Sequence, residues 1–443
     1  MEFSELNIQT PLKNALQDLE FEYLTPIQEQ SFPVILSGKN LVGIAQTGTG
    51  KTIAYLLPLL KQLKYSEQKH PRILILVPTR ELVLQVVKEI EKLTKYMTVR
   101  YAGVYGGTNI NTQKQVVYQG LDILVATPGR LYDLFVAGIV RFKSIQKLVI
   151  DEVDEMLNLG FRPQLVNILE NLPERRQNLL FSATLTPEVE HIVNDFFFDA
   201  QKIEIAPHGT PLDKITQIAY SVPNFFTKLN LLKYLLETND ELKKVLIFVG
   251  TKKLADKVAE ELSKKFKDNV GVIHSNKSQN YRINVLAKFE KEEYRILIAT
   301  DVLARGLDIT DVSHVINFDI QEAPEEYIHR IGRTGRSDKD GVAISFVNEK
   351  EQEYWQEIEK MMKKQVPLQI LPEDVEVSHI FTDDERPSLS DKNYLPGNKN
   401  VLKGGGAFHQ KSEKRMKQNS GGTFKKKMKS KNKKSAKRSG RKK

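Results

Sequence analysis

Short apolar runs separated by longer amphipathic segments recur along most of the chain. In the first half, the runs are residues 73–77, 123–126, 148–150 and 179–181. A helix is indicated after Arg80, where apolar residues recur at helical spacing. These are Leu82, Val86, Ile90 and Leu93. Such alternation is typical of parallel α/β units, whose ligands bind beyond the carboxyl ends of the strands. We therefore expect the polar residues that follow the runs to line one rim.

A second series of the same kind follows a Pro- and Gly-containing segment at residues 206–211. Its apolar runs are residues 245–249, 270–273, 295–299, 314–318 and 342–347. The composition of the intervening segment predicts a linker. We expect one domain over 1–205, a linker over 206–213, a second domain over 214–365 and a C-terminal extension over 366–443.

Residues 45–52, with the sequence AQTGTGKT, lie between a strand-like run at 40–44 and a helix-like run at 53–60. Gly48 and Gly50 allow backbone N–H groups to face one anion, while Lys51 supplies a charge and Thr52 a hydroxyl for Mg²⁺. The segment predicts a nucleoside triphosphate site, against the alternative of a chance Gly-rich turn. Since the second half shows no such loop, we expect the triphosphate to bind in the cleft between the domains.

An acidic segment, Asp151-Glu152-Val153-Asp154, follows the apolar run 148–150. Asp151 is suited to hold phosphate-bound Mg²⁺, partly through water, and Glu152 to orient and deprotonate the attacking water. The alternative is an ordinary acid-rich helix N-terminus.

Three arginines, Arg330, Arg333 and Arg336, recur every third residue in a Gly-punctuated segment of the second half. This spacing favours arginine fingers that reach the γ-phosphate across the cleft. The alternative is a basic turn paired with surface acids. His274 and His329 have no partner at metal-ligand spacing, so we interpret them as packing or RNA-side groups.

Charge is distributed unevenly along the chain. Residues 403–443 contain 17 Lys or Arg and one acidic residue, so the net charge of this segment is +16. Since the net charge of the whole chain is +10, residues 1–402 have a net charge of −6. With few large apolar residues, it is expected to be a disordered polycation. It serves either as an electrostatic nucleic-acid arm or as a solubilising end.

Composition excludes several classes of site. The chain has 443 residues, enough for two or three domains, and no cysteine, so disulfides, thiol nucleophiles and Cys-ligated zinc are excluded. Its first residues lack the pattern of a signal peptide, and no apolar run approaches the ~18 residues of a membrane span. We expect a cytoplasmic protein without membrane contacts.

In its ordered motifs the chain resembles the DEAD-box RNA helicases of superfamily 2, from residue 3 to about residue 350. The matching segments are 21–28 (the Q motif), 45–52 (motif I), 78–82 (Ia), 106–107 (the GG pair), 127–130 (Ib), 151–154 (II), 182–184 (III), 246–250 (IV), 279 and 282 (IVa), 299–309 (V) and 329–336 (VI). The resemblance implies an α/β fold of two tandem RecA-like domains, each a parallel sheet flanked by helices, that close over ATP and RNA. It also implies that alanine at the start of the phosphate loop is normal.

The resemblance assigns further roles. Gln28 would read the adenine edge, with Phe3 and Phe21 packing nearby, and Asp308 would contact the ribose. Gln46, Thr47, Gly48, Thr49, Gly50, Lys51 and Thr52 would bind the phosphates and Mg²⁺. Asp154, Ser182 and Thr184 would couple hydrolysis to domain contacts, and Arg333 and Arg336 would be the fingers. RNA would contact Arg80, Gly107, Thr127, Arg130 and Thr300.

Four positions depart from the family pattern: Glu20 and Ser275 replace Gly, Leu24 replaces Pro, and Val153 replaces Ala. None removes a catalytic group, although the larger Val153 could alter packing behind motif III and hence the coupling. We expect an RNA-dependent ATPase that unwinds short duplexes. The alternatives are an ATP-gated RNA clamp and a passive RNA chaperone. Ribosome assembly and RNA decay fit equally well as pathways.

Overall fold

Two parallel sheets organise the chain. A computed structural model describes residues 1–46, 48–205, 215–300, 309, 312–335, 340–382 and 385. Within these ranges each sheet has seven strands, and every pairing between strands is parallel. The predicted α/β class with two sheet domains is confirmed.

The first sheet has the strand order β3-β4-β2-β5-β6-β1-β7. Its strands are β1 Leu41–Ile44, β2 Ile73–Leu76, β3 Tyr101–Val104, β4 Ile123–Ala126, β5 Lys147–Asp151, β6 Gln177–Ser182 and β7 Gln201–Glu204. β1 lies between β6 and β7, with Ile44 opposite Ser182. This register brings the ends of β1 and β6 together at one edge.

The second sheet has the order β10-β11-β9-β12-β13-β8-β14. Its strands are β8 Ile215–Ser221, β9 Val245–Phe248, β10 Val270–Ile273, β11 Ile296–Ala299, β12 His314–Asn317, β13 Gly341–Val347 and β14 Leu368–Gln369. The order matches that of the first sheet: the pairings of β10, β11, β9, β12 and β13 repeat those of β3, β4, β2, β5 and β6.

Helices connect the strands. In the first domain they are α1 Thr10–Asp18, α2 Pro26–Leu36, α3 Lys51–Gln62, α4 Arg80–Leu93, α5 Ile110–Tyr118, α6 Pro128–Val136, α7 Val153–Asn158, α8 Arg162–Asn171 and α9 Pro187–Phe196. In the second domain they are α10 Phe225–Thr238, α11 Lys252–Phe266, α12 Gln279–Glu290, α13 Pro324–Ile331 and α14 Gln352–Met362. None of the helices in the ranges above is long and apolar enough to cross a membrane.

Burial explains the apolar runs. All four residues of β2 are buried because helices cover both faces of a parallel sheet. The amphipathic helix α4 buries the predicted stripe, including Leu82, Val86, Ile90 and Leu93. Central strands were therefore predictable from continuous apolar runs.

Four strands escaped the sequence analysis. β7 is an edge strand with only Ile203 buried, and β14 has two exposed residues, so neither forms an apolar run. β3 alternates half-buried and buried positions, and β8 mixes buried, half-buried and exposed ones. Because β14 pairs with β8, the second sheet continues beyond the predicted boundary at residue 365. The predicted linker, 206–213, and the basic tail, 403–443, lie outside the described residues.

The helix that precedes Arg333 packs against the last helix of the domain. Tyr327 of α13 and Trp355 of α14 meet edge to face, with ring centres 5.4 Å apart. The Tyr327 hydroxyl donates to Gln217 Oε1 on β8 at 2.9 Å. These contacts fix α13 on the second sheet.

Candidate nucleotide-binding and catalytic site

The phosphate loop connects β1 to α3. Gly48 and Gly50 have φ values of 81° and 85°, in the left-handed region that glycine adopts without strain. Lys51, the first residue of α3, is buried, and its ammonium donates to the Ala45 carbonyl at 2.8 Å. The Thr49 hydroxyl donates to the Gln46 carbonyl at 2.7 Å. The predicted loop is therefore folded around its own lysine, at a helix N-terminus suited to an anion.

Gln28 lies against the same loop. Its side-chain amide donates to the Gly50 carbonyl at 3.1 Å and accepts from the Thr25 backbone N–H at 3.0 Å. A Cβ atom at position 50 would lie 2.3 Å from Gln28 Nε2, so glycine is required there. Gln28 thus joins the start of α2 to the phosphate loop, a contact that the sequence analysis did not anticipate.

Phe3 and Phe21 stack, with ring centres 5.8 Å apart and an angle of 24° between the rings. The Phe3 N–H donates to the Glu22 carbonyl at 3.0 Å, which holds the N-terminus against the segment before α2. Phe3 is buried and Phe21 is 38% exposed. Together with Lys13, they line a groove of about 610 Å³. The partly exposed Phe21 ring is thus accessible at this groove.

Asp151 ends β5 and is buried. Its Oδ2 atom accepts from the Tyr55 hydroxyl at 3.0 Å, whereas Oδ1 has no hydrogen-bond partner among the residues that the structure describes. Burial raises the pKa of Asp151, and the charge of Lys51 and the bond from Tyr55 oppose that rise. A buried carboxylate oxygen without a partner is the kind of group that a hydrated cation satisfies.

Glu152 follows in a left-handed conformation, with φ 54°. Burial and the neighbouring charge of Asp151 raise its pKa to about 8, while the charges of Lys51 and Arg333 act in the opposite direction. Its Oε2 atom is buried without a hydrogen-bond partner in the described ranges. A strained, desolvated glutamate next to a metal-binding candidate is well suited to proton transfer.

Asp154 connects the acidic segment to the end of β6. Its Oδ2 atom accepts from the backbone N–H groups of Ala183 and Thr184, at 3.1 and 3.0 Å, and from the Thr184 hydroxyl at 3.0 Å. Burial disfavours its charge, but the charges of Lys51 and His329 and the bonds from Thr184 lower the pKa of Asp154 below its usual value. Ser182 is buried beside it, and its carbonyl accepts from the Ala45 N–H at 3.0 Å. Of the predicted coupling residues, Asp154 and Thr184 therefore meet, while the Ser182 hydroxyl makes no hydrogen bond within the described ranges.

The arginines of the second domain differ in their surroundings. Arg330 donates to the Asp319 carbonyl at 2.7 Å and lies 5.1 Å from the centre of the Phe248 ring, so its side chain packs within its own domain. The idea that all three arginines are fingers is therefore wrong for Arg330. Arg333 is buried and close enough to lower the pKa of Glu152. Arg336 lies outside the described residues.

A second contact joins the two sheet domains. Arg282 of α12 and Glu81 of α4 form an ion pair at 2.7 Å, with both side chains 6% exposed. Gln279 also accepts a hydrogen bond from Arg282. Because Glu81 neighbours Arg80, this pair lies next to a residue predicted to contact RNA.

Two arginines contact the loop around Gly107 on the predicted RNA side of the first domain. Gly107 has φ 78°, and a Cβ atom there would lie 2.1 Å from Arg80 Nη1. The Arg80 guanidinium therefore packs directly against the Gly107 backbone. Arg130 is buried and donates to Gln113 Oε1 at 2.7 Å and to the Thr108 carbonyl at 3.1 Å. Gln113 donates in turn to the Thr108 hydroxyl at 2.8 Å. Arg130 thus holds the loop that carries Gly107.

The remaining predicted residues are placed as follows. Thr127 is the buried residue before α6, and its N–H donates to the Val104 carbonyl at 3.1 Å. Thr300 is buried after β11, and its N–H donates to the Ile273 carbonyl at 3.3 Å. Thr52 is the second residue of α3 and neighbours the Tyr55 hydroxyl. Thr47 and Asp308 lie outside the described residues.

A divalent cation at this site would depend on the nucleotide. The described ranges contain no group of three or more His, Asp or Glu side chains that could hold a metal ion by themselves. Asp151 Oδ1 and the Thr52 hydroxyl are oxygen ligands of the type that Mg²⁺ prefers, with phosphate oxygens and water completing its shell. The residues present therefore fit a phosphate-bound Mg²⁺.

Comparison with known proteins decides the family. Residues 25–192 match the family described as DEAD/DEAH box helicase, and residues 227–338 match the helicase conserved C-terminal domain. The ATP-dependent RNA helicase CshA of Limosilactobacillus reuteri is 40% identical over 369 residues, which cover 83% of this chain and 73% of that protein. The chain belongs to the DEAD-box RNA helicase family. The ATP-dependent RNA helicase RhlB of Shewanella sediminis is 38% identical over 374 residues, covering 83% of this chain and 85% of RhlB.

Solved DEAD-box structures share the fold. S. cerevisiae Dbp5 bound to RNA and ADP BeF3 has a TM-score of 0.75 and 30% sequence identity, covering 84% of this chain and 96% of that one. Mss116p bound to ssRNA and AMP-PNP has a TM-score of 0.75 and 28% identity, covering 84% and 79%. The tandem RecA-like architecture is therefore confirmed.

Several residues of this DEAD-box site were missed by sequence reasoning. Tyr55 lies four residues after Lys51, on the same face of α3, but in an apolar run that indicates only core packing. Gln113 and Glu81 lie on amphipathic helices, where polar residues normally face solvent. A buried polar position on such a helix is the signal that could have identified them, and only the fold reveals burial.

Proposed function

We propose that this protein is an ATP-dependent RNA helicase, with RNA-stimulated ATP hydrolysis coupled to local unwinding of short duplexes. One observation carries the proposal: two buried carboxylates, Asp151 and Glu152, both lie within the electrostatic influence of Lys51 from their own domain, and Glu152 also lies within that of Arg333 from the other. Such a site is complete only when both domains contribute. Hydrolysis can therefore depend on domain closure.

Each residue has a chemical role in this proposal. The phosphate loop binds the triphosphate, with Lys51 exchanging its bond to the Ala45 carbonyl for phosphate oxygens. When bound, Mg²⁺ neutralises developing charge on the phosphates, and Thr52 and Asp151 would hold it. Glu152 accepts a proton from the attacking water, and Arg333 stabilises the charge of the transferring phosphoryl group. We assign the same role to Arg336 and ribose recognition to Asp308.

RNA would bind at the rim that carries Arg80, Gly107, Thr127 and Thr300. The contacts at Arg80 and Gly107 favour backbone recognition, because a guanidinium and an exposed glycine backbone both suit phosphate. Dbp5 and Mss116p, whose structures contain RNA, support RNA binding as such. Arg130 contributes by holding the Gly107 loop. Partners in ribosome assembly or RNA decay are a further proposal, which crosslinking to cellular RNA tests.

An unwinding assay distinguishes the candidate activities. A helicase separates a short RNA duplex with ATP, and far less with a non-hydrolysable analogue or without nucleotide. An ATP-gated clamp hydrolyses ATP but separates few strands, whereas a passive chaperone acts equally in all three conditions. Equal strand separation with and without ATP contradicts the proposal.

Replacement of the proposed base tests the chemistry. Glu152→Gln removes the proton acceptor but keeps the shape, so we expect ATP and RNA binding to persist while turnover falls ~10²-fold or more. Glu170→Gln, on the exposed end of α8, is the matched control and should leave turnover unchanged. Turnover at the level of the unchanged protein in Glu152→Gln rules out this base.

A further inference from the structure

Tyr55 is a polar residue at the centre of an apolar helix. It is fully buried on α3, four residues after Lys51, and its ring packs against Phe181 with centres 5.4 Å apart. Its hydroxyl donates to Asp151 Oδ2 at 3.0 Å. The Thr52 side chain is also a hydrogen-bonding neighbour of that hydroxyl. The phenol therefore lies between the two side chains that we propose as Mg²⁺ ligands.

We propose that Tyr55 is a positioning residue that orients the Asp151 carboxylate for Mg²⁺, an inference that rests on the proposed function. The two oxygens of the Asp151 carboxylate differ in their hydrogen bonding. Oδ2 is held by the phenol, and Oδ1 has no hydrogen-bond partner in the part of the chain that the structure describes. Fixing one oxygen fixes the direction of the other.

Helix geometry explains why the phenol can perform this role. Lys51 and Tyr55 are four residues apart, so both lie on the same face of α3. The helix thus carries a phosphate ligand, Lys51, and the support of a metal ligand, Tyr55, on one rigid element. Because the ring is clamped by Phe181 of β6, rotation of the hydroxyl away from Asp151 is restricted. A partner that orients a metal ligand typically changes metal affinity by ~10- to 100-fold when it is removed.

The ring and the hydroxyl have separable effects. Phenylalanine at position 55 retains the packing on Phe181 but leaves Asp151 Oδ2 without its donor. We therefore expect a change in Mg²⁺ dependence with little change in the phosphate loop itself. Because phosphate-bound Mg²⁺ usually keeps several of its waters, Asp151 would hold it partly through water, and the expected effect is at the low end of the range, about tenfold.

The test measures binding rather than turnover. Fluorescent N-methylanthraniloyl-ADP is titrated with the full chain, first with EDTA and then at increasing MgCl₂. For Tyr55→Phe we expect the affinity for the fluorescent ADP to be unchanged with EDTA. The Mg²⁺ concentration that gives half of the Mg²⁺-dependent gain in affinity should rise by about tenfold. Tyr96→Phe is the matched control, because it removes another phenol–aspartate bond, to Asp18 at 2.8 Å, in the same domain. It should leave both quantities unchanged.

Three results are decisive against the inference. Equal Mg²⁺ dependence in Tyr55→Phe and the unchanged chain shows that the phenol does not orient the ligand. An equal loss of affinity with EDTA and with Mg²⁺ shows that Tyr55 only packs the loop. If the unchanged chain binds no fluorescent ADP, the nucleotide site of the proposed function is overturned, which is distinct from a failure of Tyr55 alone.

Discussion

Asp122 provides a stability prediction that can be separated from catalysis. It immediately precedes β4, and its side chain is 8% exposed. Arg100 donates to it through Nε and Nη2, both at 3.1 Å, while Arg72 and Gln68 each donate at 2.9 Å. The network joins the starts of β2 and β4 to the residue before β3. We expect Asp122→Asn to destabilise the first domain.

The size of the effect follows from the ionisation of Asp122. Burial alone would raise its pKa, but hydrogen bonds from Arg100, Gln68 and Arg72 lower the pKa to about 2. Relative to an unfolded value of about 3.8, this difference corresponds to about 2 kcal/mol of stability. Because the folded pKa is the lower one, the stabilisation is complete above pH ~3.8 and is lost as the pH falls towards ~2.

Urea unfolding followed by circular dichroism measures this contribution. We expect Asp122→Asn to lose about 2 to 4 kcal/mol at pH ~7 and ~5, with the loss shrinking below pH ~3.8. Asp18→Asn is the control: Asp18 also pairs with a cation, Lys95, but at the exposed surface, so no measurable change is expected. ATP hydrolysis below the unfolding transition should be unchanged, because Asp122 lies at the end of the sheet opposite the phosphate loop. The reasoning is refuted if Asp122→Asn and Asp18→Asn lose the same small amount of unfolding free energy. It is also refuted if the loss in Asp122→Asn does not depend on pH.

Three further predictions concern RNA. Glu81→Arg and Arg282→Glu should each lower RNA-stimulated ATP hydrolysis by about tenfold, because each leaves a buried like-charge pair. The double variant, which exchanges the two charges, should restore much of the hydrolysis in the same assay. Gln113→Leu should weaken RNA affinity about tenfold by releasing the Gly-containing loop, whereas exposed Gln115→Leu on the same helix should not; equal affinities by anisotropy contradict this. Deletion of residues 403–443 should flatten the slope of log RNA affinity against log salt concentration by ~0.7 per lost phosphate contact, or about 3 to 4 for five contacts. Turnover at saturating RNA should stay nearly intact. Identical slopes with and without these residues identify a merely solubilising tail.

The central strands and the phosphate loop were predictable because their causes are local. A buried parallel strand such as β2 must be apolar on both faces, and a backbone that wraps an anion needs glycine at positions such as Gly48 and Gly50. Edge strands do not follow this rule. In β7 only Ile203 is buried, so the strand is polar and resembles a loop in sequence.

The contacts that complete the site depend on the fold. The Tyr55 hydroxyl meets a carboxylate 96 residues away, and nothing in an apolar helix identifies that partner. Arg130 matched a motif that implied RNA contact, yet its guanidinium is occupied by Gln113 and Thr108. Sequence reasoning therefore supplied the groups that we propose for the chemistry, but not the neighbours that hold them in position.

Trp355 is the only tryptophan in the sequence and meets the aromatic ring that anchors α13. The helix that leads to Arg333 consequently has a built-in optical reporter. Tryptophan emission depends on the polarity around the ring and on quenching by its neighbours, so a shift of α13 against α14 alters a signal from one known location. Rapid mixing of the unlabelled protein with ATP and RNA can then time a change in the surroundings of the helix that precedes Arg333 alongside the release of phosphate. The order of these two events shows whether that change precedes phosphate release.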